Sequence, residues 1–142
     1  MKAIILAAWE WSRLRPLTNT IPKPLIKIFW ITILEHNLEY LYKYVDEIII
    51  IVKYQKEKIQ EYLWNNYKWV KIVYKEQSDE KWTWAAIRWI ESDVDVIIMY
   101  WDSILDKKDL EKILTFNWYW VLVKEVENPE KYWIYKIDID LT

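Results

Sequence analysis

The chain has 142 residues, with 20 lysines and arginines against 22 aspartates and glutamates, and no cysteine. That length holds one domain or a large piece of one; the interspersed charge excludes the basic stripe of a nucleic-acid binder, and the absence of cysteine excludes a disulfide framework and a thiolate metal site. The opening apolar run "AIILAAW" is too short to cross a membrane and gives way at once to Glu10, Arg13 and Arg15, unlike a signal peptide, so a cytoplasmic chain with no membrane partner is expected.

Short β-branched runs alternate with stretches of helical period. The first strand is expected over Lys2–Ala7, followed by a long loop rich in Pro, Thr and basic residues. A helix follows over Thr32–Lys43, where Ile33, Leu34, Leu38, Leu41 and Tyr42 recur at helical spacing and form one buried stripe. His36, among Glu35, Asn37 and Glu39, reads as a half-exposed helix residue and not as a ligand or base. Then come a strand over Glu47–Val52, a helix over Gln55–Leu63 with a solvated charged face, and a strand over Val70–Lys75. A helix over Thr83–Glu91, a strand over Val94–Tyr100, a helix over Lys107–Phe116 and strands over Val121–Val126 and Ile134–Ile139 complete the order. The runs "EIIIIV" and "VDVIIMY" are apolar on both faces, as parallel strands covered from either side are. Strand, helix, strand in repetition predicts a doubly wound, Rossmann-like α/β fold: a mostly parallel sheet with right-handed crossovers and helices on both faces. Ligands of such folds bind at the carboxyl ends of the strands. The chain stops at "YKIDIDLT" with no closing helix, so it is expected to be the N-terminal portion, 1–142, of a longer domain.

One compositional feature is anomalous. At average usage a chain of this length carries roughly ten glycines; this one has none, and 12 tryptophans. Every left-handed backbone position must then be reached by a residue with a Cβ. The tryptophans fall where turns are expected: Trp64 after "KEKIQEYL", at a helix C-cap, Trp69 before "VKIVYK", Trp101 after "VDVIIMY", Trp118 and Trp120 about a short connection, and Trp133 after "NPEKY". These are poor places for a core indole, whose N–H needs a partner when buried. The favoured reading is that Trp stands where a related sequence has Gly, by substitution or by notation; the competing one is that the indoles are ordinary core or surface aromatics.

The chemistry concentrates in "WEWSRLRPLTNTIPKPL", residues 9 to 25. Arg13, Arg15 and Lys23 supply cations and the backbone after Ala7 supplies N–H donors, and a nucleoside triphosphate needs both. With Trp9 and Trp11 read as glycine, the stretch becomes L-A-A-G-x-G-S-R-L-x-P-L-T followed by P-K-P-L. No acidic residue follows at the distance a dinucleotide fingerprint requires, and no G-K-[ST] of a P-loop is present. The pattern resembles the signature of the sugar-phosphate nucleotidyltransferases. Three further stretches fit in order: "EQSDEKWTWAAI" resembles that family's base-recognition segment, "IIMYWDS" its strand-end G-D motif, and "NPEKYWI" the turn that touches the sugar.

The resemblance implies a nucleotide-diphospho-sugar transferase fold and a reaction in which a sugar-1-phosphate oxygen attacks the α-phosphorus of a nucleoside triphosphate and pyrophosphate leaves. Such chemistry rests on positioning and charge stabilisation. It further implies catalytic roles for Arg13, on the β- and γ-phosphates, and Lys23, at the reacting centre. Leu6, Ala7, Ala8, Trp9, Trp11, Gln77, Trp82 and Thr83 would bind the nucleotide, with Gln77 reading the imide edge of uracil or thymine, so that UTP or dTTP is the donor. Tyr132 and Trp133 would border the sugar. Asp102 would be a ligand of Mg²⁺, a hard cation usually held by one or two carboxylates and substrate phosphate; Asp106 is preferred over it as the cap of the next helix. Glucose-1-phosphate and N-acetylglucosamine-1-phosphate both remain open, as does a homo-oligomer. The family's Glu-Lys pair and second metal-binding Asp cannot be assigned within these residues. The competing class is a non-catalytic, aromatic-rich module that stacks sugars or unpaired bases on its indoles.

The intact mass separates the two readings of the tryptophans. A mass below that of the written chain by 12 Trp-to-Gly differences makes them notation; a matching mass makes the indoles real.

Overall fold

A computed structural model describes residues 1–8, 16–77, 93–103 and 106–115. Residues Met1–Lys107 form one unit and Lys108–Thr142 a second. The first strand, β1 (Lys2–Leu6), is buried along nearly its whole length. It is followed by two 3-10 turns, Leu17–Asn19 and Lys23–Leu25, a short hairpin of β2 (Lys27–Ile28) and β3 (Ile31–Thr32), and helix α1 (Ile33–Leu41). Strand β4 (Glu47–Val52), helix α2 (Lys56–Leu63), the short β5 (Asn66–Tyr67), β6 (Val70–Glu76) and β7 (Val96–Tyr100) complete the described part of the first unit. A helix over Lys107–Leu114 directly follows Asp106 and, from Lys108 on, belongs to the second unit.

The main sheet has the order β5-β6-β4-β1-β7. Strands β6, β4, β1 and β7 are parallel, and only β5 runs against its neighbour. Five consecutive β-branched residues, Ile48 to Val52, explain why β4 sits inside the sheet: they are all buried, and neither face of the strand offers water a polar side chain. On one face Ile4, Leu6, Ala8, Ile49 and Ile51 form a core cluster, with Val73 and Val96 packed against it. Strand β6 is apolar at its start and charged at its end, and its burial follows suit. Helix α1 begins with a capping box, Glu35 N–H donating to Thr32 Oγ1 at 3.1 Å and Thr32 N–H to Glu35 Oε2 at 2.7 Å, which satisfies two end donors at once. Tyr62 of α2 donates its hydroxyl to the same Glu35 oxygen at 3.0 Å.

The doubly wound order expected from the sequence is present, and strands β1, β4, β6 and β7 and helices α1 and α2 lie where their hydrophobic periods put them. The β2–β3 hairpin and β5 are additions. Each of these strands has two residues, too few for alternation to register, and the turn Phe29–Trp30 carries none of the Asn-Gly chemistry that marks a hairpin. The expected helix Thr83–Glu91 and strands Val121–Val126 and Ile134–Ile139 lie outside the described residues.

Among the described residues four with side chains take positive φ: Phe29 (58°), Gln55 (51°), Trp64 (59°) and Lys68 (53°). Lys68 is tied down by ion pairing with Glu39 at 2.8 Å. That ammonium, with the Tyr67 hydroxyl that also donates to the carboxylate, holds Glu39 below the usual carboxylate range. Trp64 differs in ψ from Gln55, which is left-handed at ψ 37°. As the C-cap of α2 its N–H donates to Gln60 O at 2.8 Å, and its φ 59°, ψ −152° lies in a region that essentially only glycine occupies. Its indole is 74% exposed and so gains little from burial. Tyr74 donates its hydroxyl to the Trp64 carbonyl at 2.5 Å, and burial pushes the Tyr74 phenol up to about 12.

Replacing Trp64 with glycine relieves about 1–3 kcal/mol of backbone strain and adds roughly 0.5–1 kcal/mol of chain freedom to the unfolded state. Trp64→Gly is therefore expected to stabilise the chain by about 1–2 kcal/mol, read as a higher urea midpoint at unchanged slope. An unchanged midpoint would show that the strain at 64 is no larger than the roughly 0.5–1 kcal/mol of chain freedom that glycine adds to the unfolded state.

Candidate active site at the carboxyl ends of the strands

Strand β1 lies between β4 and β7, so the chain leaves it towards one side of the sheet and later returns to the other. That reversal is where open α/β sheets leave a crevice beyond the strand ends. The register brings the ends level: Leu6 is opposite both Ile51 and Tyr100. Pairing continues one residue further, with Ala7 N–H donating to Ile51 O at 2.8 Å, Trp101 N–H to Leu6 O at 3.3 Å and Gln77 N–H to Val52 O at 2.9 Å. Residues 7, 77 and 101 thereby share the carboxyl edge. Leu6, Ala7 and Ala8 are buried there; the Leu6 carbonyl and the Ala7 N–H are already engaged in the sheet. Gln77 is buried two inter-strand spacings from β1, about 10 Å.

Lys23 reaches this edge from the second 3-10 turn. Pro22 precedes the turn in extended conformation, and Ile26 N–H donates to Lys23 O at 3.0 Å to close it. Ile33 N–H at the start of α1 donates to Ile26 O at 3.2 Å, so the turn hangs from the helix. Lys23 Nζ lies 3.9 Å from Asp102 Oδ2 and 4.8 Å from the centre of the Trp101 ring. The Lys23 side chain is mostly covered, 17% exposed, and that of Asp102 is 39% exposed. At an effective dielectric near 20 the gross attraction is about 4 kcal/mol, but ordering and desolvation offset most of it, leaving roughly 0–1 kcal/mol for a pair this accessible. The pair is thus a poor fold stabiliser and a well-placed pair of opposite charges.

Trp101 corrects one expectation. Its position after a strand suggested a turn unsuited to a core indole, yet it is 2% exposed. The reason is local: its N–H extends the β1–β7 ladder, which carries the side chain into the packed edge beneath Lys23, where a cation stacks on the ring face. Trp30, Trp64 and Trp69 are exposed, as turn residues are, although Trp69 sets its ring edge-on to Tyr42 at 4.8 Å.

Two features escape a reading by motif. Asn37 of α1 is 1% exposed, and its Nδ2 donates to Trp101 O at 2.6 Å. The signal was available, since Leu34, Asn37, Leu38 and Leu41 stand at i, i+3, i+4 and i+7, so a polar residue occupies the apolar face. The second feature is at the start of α2. Gln55 Nε2 donates to the carbonyls of Thr18 (3.3 Å) and Asn19 (3.2 Å), and Lys58 Nζ to that of Thr20 (2.5 Å). These bonds hold Thr18, Asn19 and Thr20 against the start of α2, so the face expected to be merely solvated includes an anchor. Arg13, Arg15, Trp9, Trp11, Trp82, Thr83, Tyr132 and Trp133 lie outside the described residues. His36 is half-buried, as expected. No described helix is long and apolar enough to cross a membrane.

Comparison with known proteins agrees with this arrangement. A solved structure described as a putative glucose-1-phosphate thymidylyltransferase from Bacillus anthracis superposes with a TM-score of 0.70 over 80% of this chain and 50% of that one, at 22% identity, and so shares the doubly wound fold. The nucleotidyl transferase family matches residues 2–136. The bifunctional protein GlmU of Methanocaldococcus jannaschii is 41% identical over 139 residues, 97% of this chain and 33% of that protein. A UTP–glucose-1-phosphate uridylyltransferase, AglF, of Haloferax volcanii is 32% identical over 109 residues, 75% of this chain and 45% of that protein. In class this is a Rossmann-like α/β protein with a pair of opposite charges, Lys23 and Asp102, at the β1/β7 switch point. The chain belongs to the nucleotidyl transferase family, and it spans about a third of the length of the GlmU relatives.

Asp102→Asn is expected to change folding stability by less than about 1 kcal/mol in urea denaturation, as suits a partly exposed pair. A larger loss would mean that Asp102 supports the fold and that functional effects of its removal are ambiguous.

Proposed function

We propose that the chain carries the triphosphate-binding half of a sugar-1-phosphate nucleotidyltransferase, the N-terminal portion of a domain completed by further residues. The observation that carries this reading is the approach of Lys23 to Asp102 at the switch point, one cation and one anion 3.9 Å apart where the sheet leaves room for a ligand. A nucleoside triphosphate brings negative charge that Lys23 can take up, and a lysine stacked over a buried ring has less freedom to lose on binding.

In the proposed reaction the sugar-1-phosphate oxygen forms the new bond to the α-phosphorus as the bond to the pyrophosphate oxygen breaks. Lys23, with Arg13, stabilises charge that grows on the departing oxygens. Gln77, about 10 Å across the edge from β1, offers an amide able to donate and accept at once, which matches an imide edge. UTP is preferred over dTTP because AglF is named for UTP. Trp82 and Thr83 would close over the base and ribose, Leu6, Ala7 and Ala8 would back the nucleoside, and Tyr132 and Trp133 would border the sugar.

Asp102 suits Mg²⁺. Its carboxylate is a hard donor open to solvent on one side, and this ion usually keeps several waters and binds through one or two carboxylates and phosphate oxygens. Among the described residues no cluster of three or more His, Cys, Asp or Glu could hold a cation unaided, which favours an ion that arrives with the nucleotide. When bound, the ion neutralises phosphate charge.

Calorimetric titration of the chain with UTP, with and without Mg²⁺, tests the proposal. Binding is expected to require Mg²⁺, to fail in Asp102→Asn, and to weaken about ten- to a hundred-fold in Lys23→Ala, the range for a charged hydrogen bond. Binding that ignores Mg²⁺ and disappears in Trp82→Ala or Trp84→Ala would replace the enzyme by an aromatic binding module. Competition by dTTP, and turnover with glucose-1-phosphate against N-acetylglucosamine-1-phosphate in the completed domain, then set the substrates.

A further inference from the structure

Helix α1 buries one polar side chain on an otherwise apolar stripe. Asn37 donates from Nδ2 to the carbonyl of Trp101 at 2.6 Å, and its Oδ1, equally buried, meets no partner among the described residues. The amide cannot be turned round, because a carbonyl accepts only from the NH₂ side. Its orientation is therefore fixed at the expense of an unsatisfied acceptor, which a leucine at this position would remove. Packing alone gives no reason for Asn here, so the reason lies in what Nδ2 holds.

What it holds is the peptide group between Trp101 and Asp102. That group is planar, so fixing the Trp101 oxygen fixes the plane from which Asp102 springs. The same helix carries the Lys23 turn through Ile33 N–H and Ile26 O. Both members of the charged pair are thus referenced to α1, whose own start is locked by the Thr32–Glu35 capping box. We infer that Asn37 is a positioning residue: its amide sets the Trp101–Asp102 peptide plane and thereby keeps the Asp102 carboxylate facing Lys23 and, on the function proposed above, the Mg²⁺ triphosphate.

Two variants test this in the 142-residue chain. Asn37→Leu keeps the volume and removes the donor; Asn37→Asp keeps the shape and donates only when its carboxyl is protonated. The Trp101 and Ser103 amides, which donate to Leu6 O and Tyr100 O, report the turn, and those of Ile49 to Ile51 report the core. In Asn37→Leu, hydrogen-exchange protection at 101 and 103 is expected to fall about ten-fold, as for a lost buried hydrogen bond, with the core unchanged. In Asn37→Asp it should be low on the alkaline side of the new carboxyl's titration and recover on the acid side. Wild-type protection in Asn37→Leu, or no such pH response in Asn37→Asp, would overturn the inference. Should Asn37→Leu lose protection throughout the core, the pH response of Asn37→Asp decides alone. In the functional arm, the Mg²⁺ concentration that half-saturates UTP binding should rise about ten-fold in Asn37→Leu, and an unshifted midpoint would overturn the link to Asp102. If the wild-type chain binds no UTP, the proposed function fails, and the exchange measurements still decide the role of Asn37.

Discussion

The parallel pairing of β1 on both of its edges is the constraint from which the rest follows. Four apolar residues, Ala3 to Leu6, that offer water nothing on either face must lie between two neighbours, and the partners they take, β4 and β7, both follow later in the chain and flank β1 on opposite sides. Because Leu6 is level with Ile51 on one side and Tyr100 on the other, the three strands end together. A level edge is what lets Ala7, Trp101 and Gln77 extend the ladder by one residue each and puts Asp102 just outside it. A slip of one residue at β7 would reverse the faces of its side chains and move Asp102 away from Lys23.

How far the sequence could be read depends on the length and chemistry of each signal. Runs such as Ile48–Val52, and the stripe of Leu34, Leu38 and Leu41, are long enough for period and burial to speak together, and those elements stand where expected. Lys23 and Asp102 were legible because each sits in a motif whose residue types have a chemical reason, and the structure brings the two together. The β2–β3 hairpin was not, since two residues per strand leave no alternation to see. Asn37 is masked in the sequence because the apolar members of the stripe set its period and one polar member does not break it. Gln55 and Lys58 read as a solvated face because their partners are main-chain carbonyls some 36 to 38 residues away, and main-chain acceptors leave no trace in composition.

The absence of glycine runs through the same structure. Trp64 takes a conformation suited to a residue without a Cβ, and Phe29, Gln55 and Lys68 take left-handed ones. Phe29, Trp30, Trp64 and Trp69 hold large rings in solvent, where they contribute little to the core. Trp101 is the contrary case, a turn tryptophan drawn inward by the backbone pairing beside it. The twelve tryptophans are therefore not equivalent: for the exposed ones the side chain is incidental to the backbone, whereas at 101 it supports the lysine of the charged pair.

The anchor on Thr18, Asn19 and Thr20 has an evolutionary consequence. Gln55 and Lys58 grip Thr18, Asn19 and Thr20 by carbonyl oxygens, which every amino acid possesses. The exposed residues among them, Asn19 and Thr20, can thus be exchanged for others without loosening the attachment, while the gripping residues on α2 cannot. Mutational drift is channelled: one side of the contact is free to diversify, and the requirement for sequence is carried by the start of a helix remote from it along the chain.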